Sequence, residues 1–322
     1  MEKDFASLVG TSANKIVNST ARELTPTYAQ DSPSDPYKPN LAGRRSWAAS
    51  DDVYTAIGES HATLPVGLYS CEVSQFGPYL RKMTNNIDAL IDLPDSESER
   101  LLEEIIHFRE LKSTFNEFGF LYKRGILLWG PPGSGKTVTI QQLLKLFVTD
   151  GDGIAVMIQQ PDCATACLNM VRTIEPERQI LAIMEDIDAL IDRFGESGYL
   201  NLLDGESQLQ NVVYVATTNY PERLDKRFVD RPSRFDTIRY IGMPTAAARR
   251  AYLVAKMPKI DEMTVTRYVK ETDGFSIAYL RELVVLTQCF GFGLDASIER
   301  LRKMHKNQPK SGTGEGSTFG FA

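Results

Sequence analysis

The sequence predicts an α/β fold, a five-stranded parallel sheet sandwiched between helices and followed by a small helical domain. Three observations predict it. Five short apolar segments, Gly125–Trp129, Ile154–Gln159, Ile180–Met184, Val212–Ala216 and Thr237–Ile241, read as strands. Helical stretches separate them, and strands alternating with helices call for crossovers and parallel pairing. After Pro244 the apolar spacing becomes helical over Ala246–Met257, Met263–Glu271 and Ser276–Phe290, with a last helix around Ala296–His305.

Taken in order, residues 1–62 are rich in Ser, Thr, Ala and Pro, with Pro26, Pro33, Pro36 and Pro39 closely spaced, and read as a flexible arm. Residues 63–94 carry the apolar bursts Val66-Gly67-Leu68-Tyr69 and Pro78-Tyr79-Leu80 around Gly77, the pattern of a small β element. Pro94-Asp95-Ser96 caps a helix whose Leu101, Leu102, Ile105, Ile106 and Phe108 form an apolar stripe. An α/β core over 95–243, a small helical domain over 244–308 and a flexible Gly-rich tail over 309–322 complete the expected organisation.

Composition excludes several classes. Of 322 residues, 42% are hydrophobic and 24% charged, ordinary for a soluble protein, and the net charge of −6 gives no support for coating nucleic acid or anionic membranes. Cys163 and Cys167 share a helical face without a second pair of ligands, and His61, His107 and His305 are far apart, so thiols are expected rather than a zinc site. No apolar run suits a signal peptide or a membrane span, and a cytoplasmic setting is expected.

The chemistry concentrates in one octapeptide. Gly130-Pro131-Pro132-Gly133-Ser134-Gly135-Lys136-Thr137 follows the apolar Leu127-Leu128-Trp129 and opens the helical stretch Val138–Phe147. Glycines let the backbone approach a phosphate without a Cβ in the way, and N–H groups at a helix start meet negative charge with aligned donors. The 95–243 core is therefore expected to be nucleotide-binding, a P-loop NTPase αβα sandwich. ATP contacts are expected at Pro132, Gly133, Ser134, Gly135, Lys136, Thr137 and Val138, with Lys136 on the β/γ-phosphates and the Thr137 hydroxyl on Mg2+.

Three further groups belong with it. Ile180–Met184 runs into Glu185 and Asp186, one acid to hold the magnesium ion and the next to polarise the attacking water. Val212–Ala216 ends in Thr217-Thr218-Asn219, where the Asn219 amide can orient that water. Arg231 and Arg234 flank Pro232 in a stiff turn suited to reaching a γ-phosphate across a subunit interface.

Together these residues resemble the AAA family of the AAA+ ATPases over roughly Asp92 to Phe290. Arg124–Trp129 with the loop resembles its Walker A region, Glu185-Asp186 its Walker B, Asn219 its sensor 1, Arg231 and Arg234 its paired arginine fingers, and Gly274-Phe275-Ser276 the start of its sensor 2 helix. The Glu-Asp order and Leu200-Asn201-Leu202-Leu203-Asp204-Gly205 resemble the Bcs-type subfamily, here without a transmembrane helix. The resemblance implies a homo-oligomeric ring, by family default a hexamer, that hydrolyses ATP at subunit interfaces.

This sequence departs from the family pattern at four places. Walker B reads Glu-Asp rather than Asp-Glu; Leu224–Asp230 makes the arginine segment one residue longer; Gln159-Gln160-Pro161-Asp162-Cys163 lacks an aromatic pore grip; Ile277-Ala278-Tyr279 lacks the sensor 2 arginine, with Arg281 nearby. An ATPase that remodels, moves or disassembles an unidentified protein partner is the leading reading. A nucleic-acid-dependent motor or loader and an ATP-gated scaffold with weak hydrolysis stand beside it.

Overall fold

A computed structural model describes residues 46–50, 53–57, 61–74, 77–84, 91, 93, 94, 96–204 and 209–306. Most of the expected arm and all of the expected tail lie outside the described residues. The chain divides into two units, Met1–Ser60 and His61–Ala322. In the first, β1 (Ser46–Ser50) and β2 (Val53–Ile57) pair antiparallel, Ser50 opposite Val53 and Ser46 opposite Ile57.

The second unit is built on a seven-stranded sheet of β3 (Gly67–Ser74), β4 (Gly77–Met83), β5 (Lys123–Trp129), β6 (Ile154–Met157), β7 (Ile180–Met184), β8 (Val212–Thr218) and β9 (Thr237–Tyr240). Their order is β4-β3-β6-β7-β8-β5-β9, parallel throughout except for β4 against β3. All five expected strands are present in parallel, and two more from the 63–94 segment extend the sheet along the edge beyond β6. Their place is fixed from a distance: the Leu64 N–H donates to Glu175 Oε1 at 2.7 Å, and Arg178 Nη2 donates to the Leu64 carbonyl at 2.9 Å. Those partners lie more than a hundred residues away, which is why the local pattern shows only a small β element.

Period-two alternation splits the buried strand residues between two faces. Leu127, Val156, Ala182 and Tyr214 face one side, against α4 (Pro161–Ile174), α5 (Ile187–Phe194) and α6 (Glu196–Asp204). On the other face, Ile126, Leu128, Leu181, Ile183 and Val215 meet α1 (Glu97–Glu110) and α3 (Lys136–Leu144). Leu101, Ile105, Leu127, Leu181 and Ile183 are all fully buried, and each such side chain contributes roughly 1.5–3 kcal/mol. The result is the three-layer αβα arrangement. Short α2 (Lys112–Glu117) and α7 (Lys226–Val229) sit in the connections.

The C-terminal helices are α8 (Ala246–Lys256), α9 (Glu262–Glu271), α10 (Ile277–Val284) and α11 (Leu294–Lys306), packed around Leu253, Tyr268, Leu280, Leu283 and Leu301. Thr245, Asp261 and Ser276 cap the first three, each accepting a backbone N–H with its side-chain oxygen. One π-helical turn, Lys145–Thr149, extends α3, and another, Val285–Cys289, extends α10.

Candidate functional site

Parallel strands deliver their C-terminal ends to one edge of the sheet, where open α/β folds place ligands. Trp129 of β5 pairs with Thr218 of β8, and Met184 of β7 with Ala216, so the loops that follow these three strands emerge side by side. Those loops carry the octapeptide, Glu185-Asp186 and Asn219.

The octapeptide loop turns on glycines with positive φ, 154° at Gly130, 75° at Gly133 and 120° at Gly135. A Cβ on Gly130 would lie 2.2 Å from the Ile241 carbonyl oxygen, and one on Gly133 would lie 2.8 Å from Ser276 Oγ. The loop is thus wedged between the end of β9 and the cap of α10, and only glycine fits. Pro132 and Thr137 are exposed, Val138 is half-buried, and Gly135 caps α3. Ser134 is buried, and its hydroxyl has no hydrogen-bond partner. An orphaned hydroxyl just before the N-cap of α3 suits an anionic ligand.

Lys136 is buried, with all three ammonium protons directed. Its Nζ donates to the carbonyls of Gly130 at 2.8 Å and Pro131 at 3.0 Å, and to Asn219 Oδ1 at 2.7 Å. Burial lowers its pKa, while the nearby Asp186 and Asp188 carboxylates push it back up. Asn219 Nδ2 donates to Asp186 Oδ1 at 3.3 Å. The amide therefore ties the lysine of one loop to the acid of another, and residues 136, 186 and 219 meet although far apart in the chain. Asp186 takes a left-handed backbone (φ 50°, ψ 56°), uncommon for a residue with a Cβ, and its N–H donates to Thr217 Oγ1 at 3.0 Å. This kink turns the Asp186 side chain toward Asn219. Glu185 is half-buried.

The two arginines diverge. Arg231 stands on the surface with its side chain 60% exposed, and its Nε lies 3.3 Å from Asp204 Oδ2. Arg234 is only 9% exposed, with Nε 3.8 Å from the same carboxylate oxygen and Nη1 donating to the Arg227 carbonyl at 2.5 Å. Ser233 Oγ donates to Asp204 Oδ2 at 2.9 Å, so the end of α6 holds the whole arginine turn.

Sequence reasoning missed a cavity of about 290 Å³ beside the loop. The first turn of α1 (Ser96, Glu97), the octapeptide (Ser134, Gly135, Val138) and the Tyr240–Thr245 segment line it. Its mixed polar and apolar wall suits a planar ring with a polar edge. Pro244 was the available signal, read only as a boundary. Also missed were Ser98 Oγ, 2.6 Å from Thr139 Oγ1, which locks α1 to α3, and the buried Asp188.

Residues 126–243 match the family model described as "ATPase family associated with various cellular activities (AAA)". The chain is 27% identical to a probable mitochondrial chaperone bcs1 of Schizosaccharomyces pombe over 55% of its own length and 41% of that protein. It is 25% identical to the mitochondrial chaperone BCS1 of Homo sapiens over 78% of this chain and 60% of the relative. An ATP-dependent zinc metalloprotease FtsH of Marinobacter nauticus is 28% identical over 61% of this chain and 34% of that enzyme. The chain thus spans less than two thirds of each of these relatives. Among the described residues no helix is long and apolar enough to cross a membrane.

Proposed function

We propose, on the premise that this chain carries an AAA ATPase domain, that it hydrolyses magnesium-ATP at a site shared with a neighbouring copy and uses the cycle to remodel, move or disassemble a protein partner. One observation carries the chemistry: the Lys136–Asn219–Asp186 chain of hydrogen bonds places a cation, an amide and a carboxylate at one point beside the phosphate loop.

In this reading Gly133, Gly135 and the unpartnered Ser134 hydroxyl receive the phosphates, with Pro132 and Val138 at the loop's margins. The cavity at Tyr240–Thr245 takes the base. Lys136 exchanges its carbonyl partners for β/γ-phosphate oxygens. Asn219 orients the attacking water, and the Asp186 carboxylate accepts its proton.

Among the described residues no group of three or more His, Cys, Asp or Glu side chains could hold a metal ion. Thr137 and Glu185 would be the protein's contribution to holding a magnesium ion, whose remaining ligands would come from phosphates and water. When bound, it neutralises developing charge on the transferred phosphoryl group.

Two features support a shared site. Arg231 is exposed enough to reach another copy. Phe118 and Phe120, 68% and 65% exposed, stack at 6.4 Å, Phe290 and Phe292, 65% and 46% exposed, stack at 5.8 Å, and such paired apolar surface suits a subunit contact. A ring, by family default a hexamer, is the proposed assembly. All four cysteines are free thiols, consistent with the proposed cytoplasmic setting.

The test is steady-state ATP turnover by the full 322-residue chain beside its Lys136→Ala variant. Turnover that disappears in the variant supports the site; equal turnover in both removes it.

A further inference from the structure

We propose that Asp188 is a positioning residue of the phosphate site, fixing Asn219 through the Thr218 hydroxyl. This rests on the reading of the site given above and adds to it a residue outside the groups that would touch nucleotide.

Asp188 lies in the first turn of α5 and is 7% exposed. An acid in a first helical turn is ordinary, because the helix dipole favours negative charge there, but such acids usually stand in solvent. This one is turned inward toward β8. Its Oδ1 accepts the Thr218 hydroxyl proton at 2.7 Å, and Thr218 is itself fully buried. Burying a carboxylate is costly unless it is hydrogen-bonded, so the pair forms one element spanning two strand ends.

A hydroxyl has one proton. Because Thr218 donates it to Asp188, its lone pairs face the other way, and Thr218 Oγ1 accepts the Tyr220 N–H at 2.9 Å. That second bond closes the chain back on itself across residue 219. Asn219 is the residue enclosed. Its side chain is thereby held with Oδ1 2.7 Å from Lys136 Nζ and Nδ2 3.3 Å from Asp186 Oδ1. Neither Asp188 nor Thr218 meets Lys136 directly in this chain of bonds. Both set the orientation of the amide that does.

The same loop is anchored from its other side. Asp186 N–H donates to Thr217 Oγ1 at 3.0 Å, so consecutive threonines of β8 hold the acidic loop and the Asn219 loop in register. Asp186 and Asp188 both send their field to Lys136, so charge and geometry must be separated experimentally.

Three variants separate them. Asp188→Asn keeps an oxygen to accept the Thr218 proton and removes the charge. Asp188→Ala removes both, and Thr218→Val removes the bridging hydroxyl at nearly constant volume. ATP turnover by the full chain is expected to keep kcat within about threefold in Asp188→Asn, and to lose about tenfold or more in Asp188→Ala and Thr218→Val, with KM for ATP within about twofold throughout. Hydrogen exchange at the Tyr220 amide should quicken in Asp188→Ala and Thr218→Val and stay slow in Asp188→Asn.

An Asn variant as impaired as the Ala variant would overturn the proposal, because charge rather than positioning would then carry the effect. So would unchanged kcat in both Asp188→Ala and Thr218→Val, or a loss appearing wholly in KM. Absence of turnover in the unaltered chain would instead break the hydrolytic reading of the site. The Tyr220 exchange pattern would still decide whether Asp188 holds this loop, and unchanged exchange in the Ala variant would sink it.

Discussion

Lys136 Nζ and Asn219 Oδ1 lie 2.7 Å apart, a contact between the helix after β5 and the loop after β8. The lysine is buried, so the amide oxygen and two carbonyls replace the water it gives up. In the proposed function, a phosphate at the loop takes over some of those bonds, which couples its arrival to the amide.

Asn219→Ala cuts that coupling without touching the loop. Turnover is expected to fall about 10²-fold in kcat, with KM for ATP changed only a few-fold, since an orienting group acts mainly in the transition state. Steady-state kinetics on the variant checks it; a loss confined to KM would assign Asn219 to binding instead.

Arg231 and Arg234 are expected to part company. Arg231→Ala removes an exposed side chain and should leave the urea midpoint nearly unchanged while lowering turnover of the assembled protein. Arg234→Ala leaves the buried Asp204 carboxylate short of a partner and the Arg227 carbonyl without its donor, at a cost of about 3 kcal/mol. Urea unfolding of both variants distinguishes a reaching arginine from an anchoring one.

Gly125→Ala should be among the most damaging small substitutions in β5. A Cβ there would lie 1.8 Å from the Arg234 carbonyl oxygen, and backbone cannot yield that far cheaply. The same glycine N–H donates to Asp236 Oδ2 at 2.8 Å, so strand and arginine turn are joined at this point. A loss of about 3 kcal/mol or more in urea unfolding is expected.

Glu104 supplies a pH dependence. Burial pushes its carboxyl up, but hydrogen bonds from Arg124, Arg239 and Thr237 outweigh burial and hold its pKa below the usual 4.5. A depressed carboxyl pKa contributes stability above the unfolded value that is lost as pH falls through the folded one. The unaltered chain should therefore lose stability as pH drops below about 4.5 more steeply than Glu104→Gln, compared by thermal unfolding from pH 6 to pH 3.

Much of the fold was legible because its signals are local. The five central strands are short apolar runs broken by helical spacing, and parallel pairing follows from the crossovers. The octapeptide was legible for the same reason: glycines, lysine and threonine at fixed offsets between a strand and a helix serve one geometry.

Other features had no local signal. Strands β3 and β4 join the sheet through the pairing of β3 with β6, and the preceding Leu64 bonds to Glu175 and Arg178, contacts no window of sequence contains. The arginines at 231 and 234 share the Asp204 carboxylate yet take opposite environments, and the contact that belongs to buried Arg234 is its bond to the Arg227 carbonyl. Asp188, in the first turn of α5, looks like any helix-start acid until Thr218 is found beneath it.

The sequence by itself determined which central segments extend and where the glycine-rich loop turns. Those properties depend on neighbours a few positions away, where backbone sterics and side-chain period act directly. Only the tertiary structure decided which of those residues meet. Lys136, Asp186 and Asn219 meet because β5 and β8 end level and β7 ends two residues short of them, and that register is a property of the sheet as a whole.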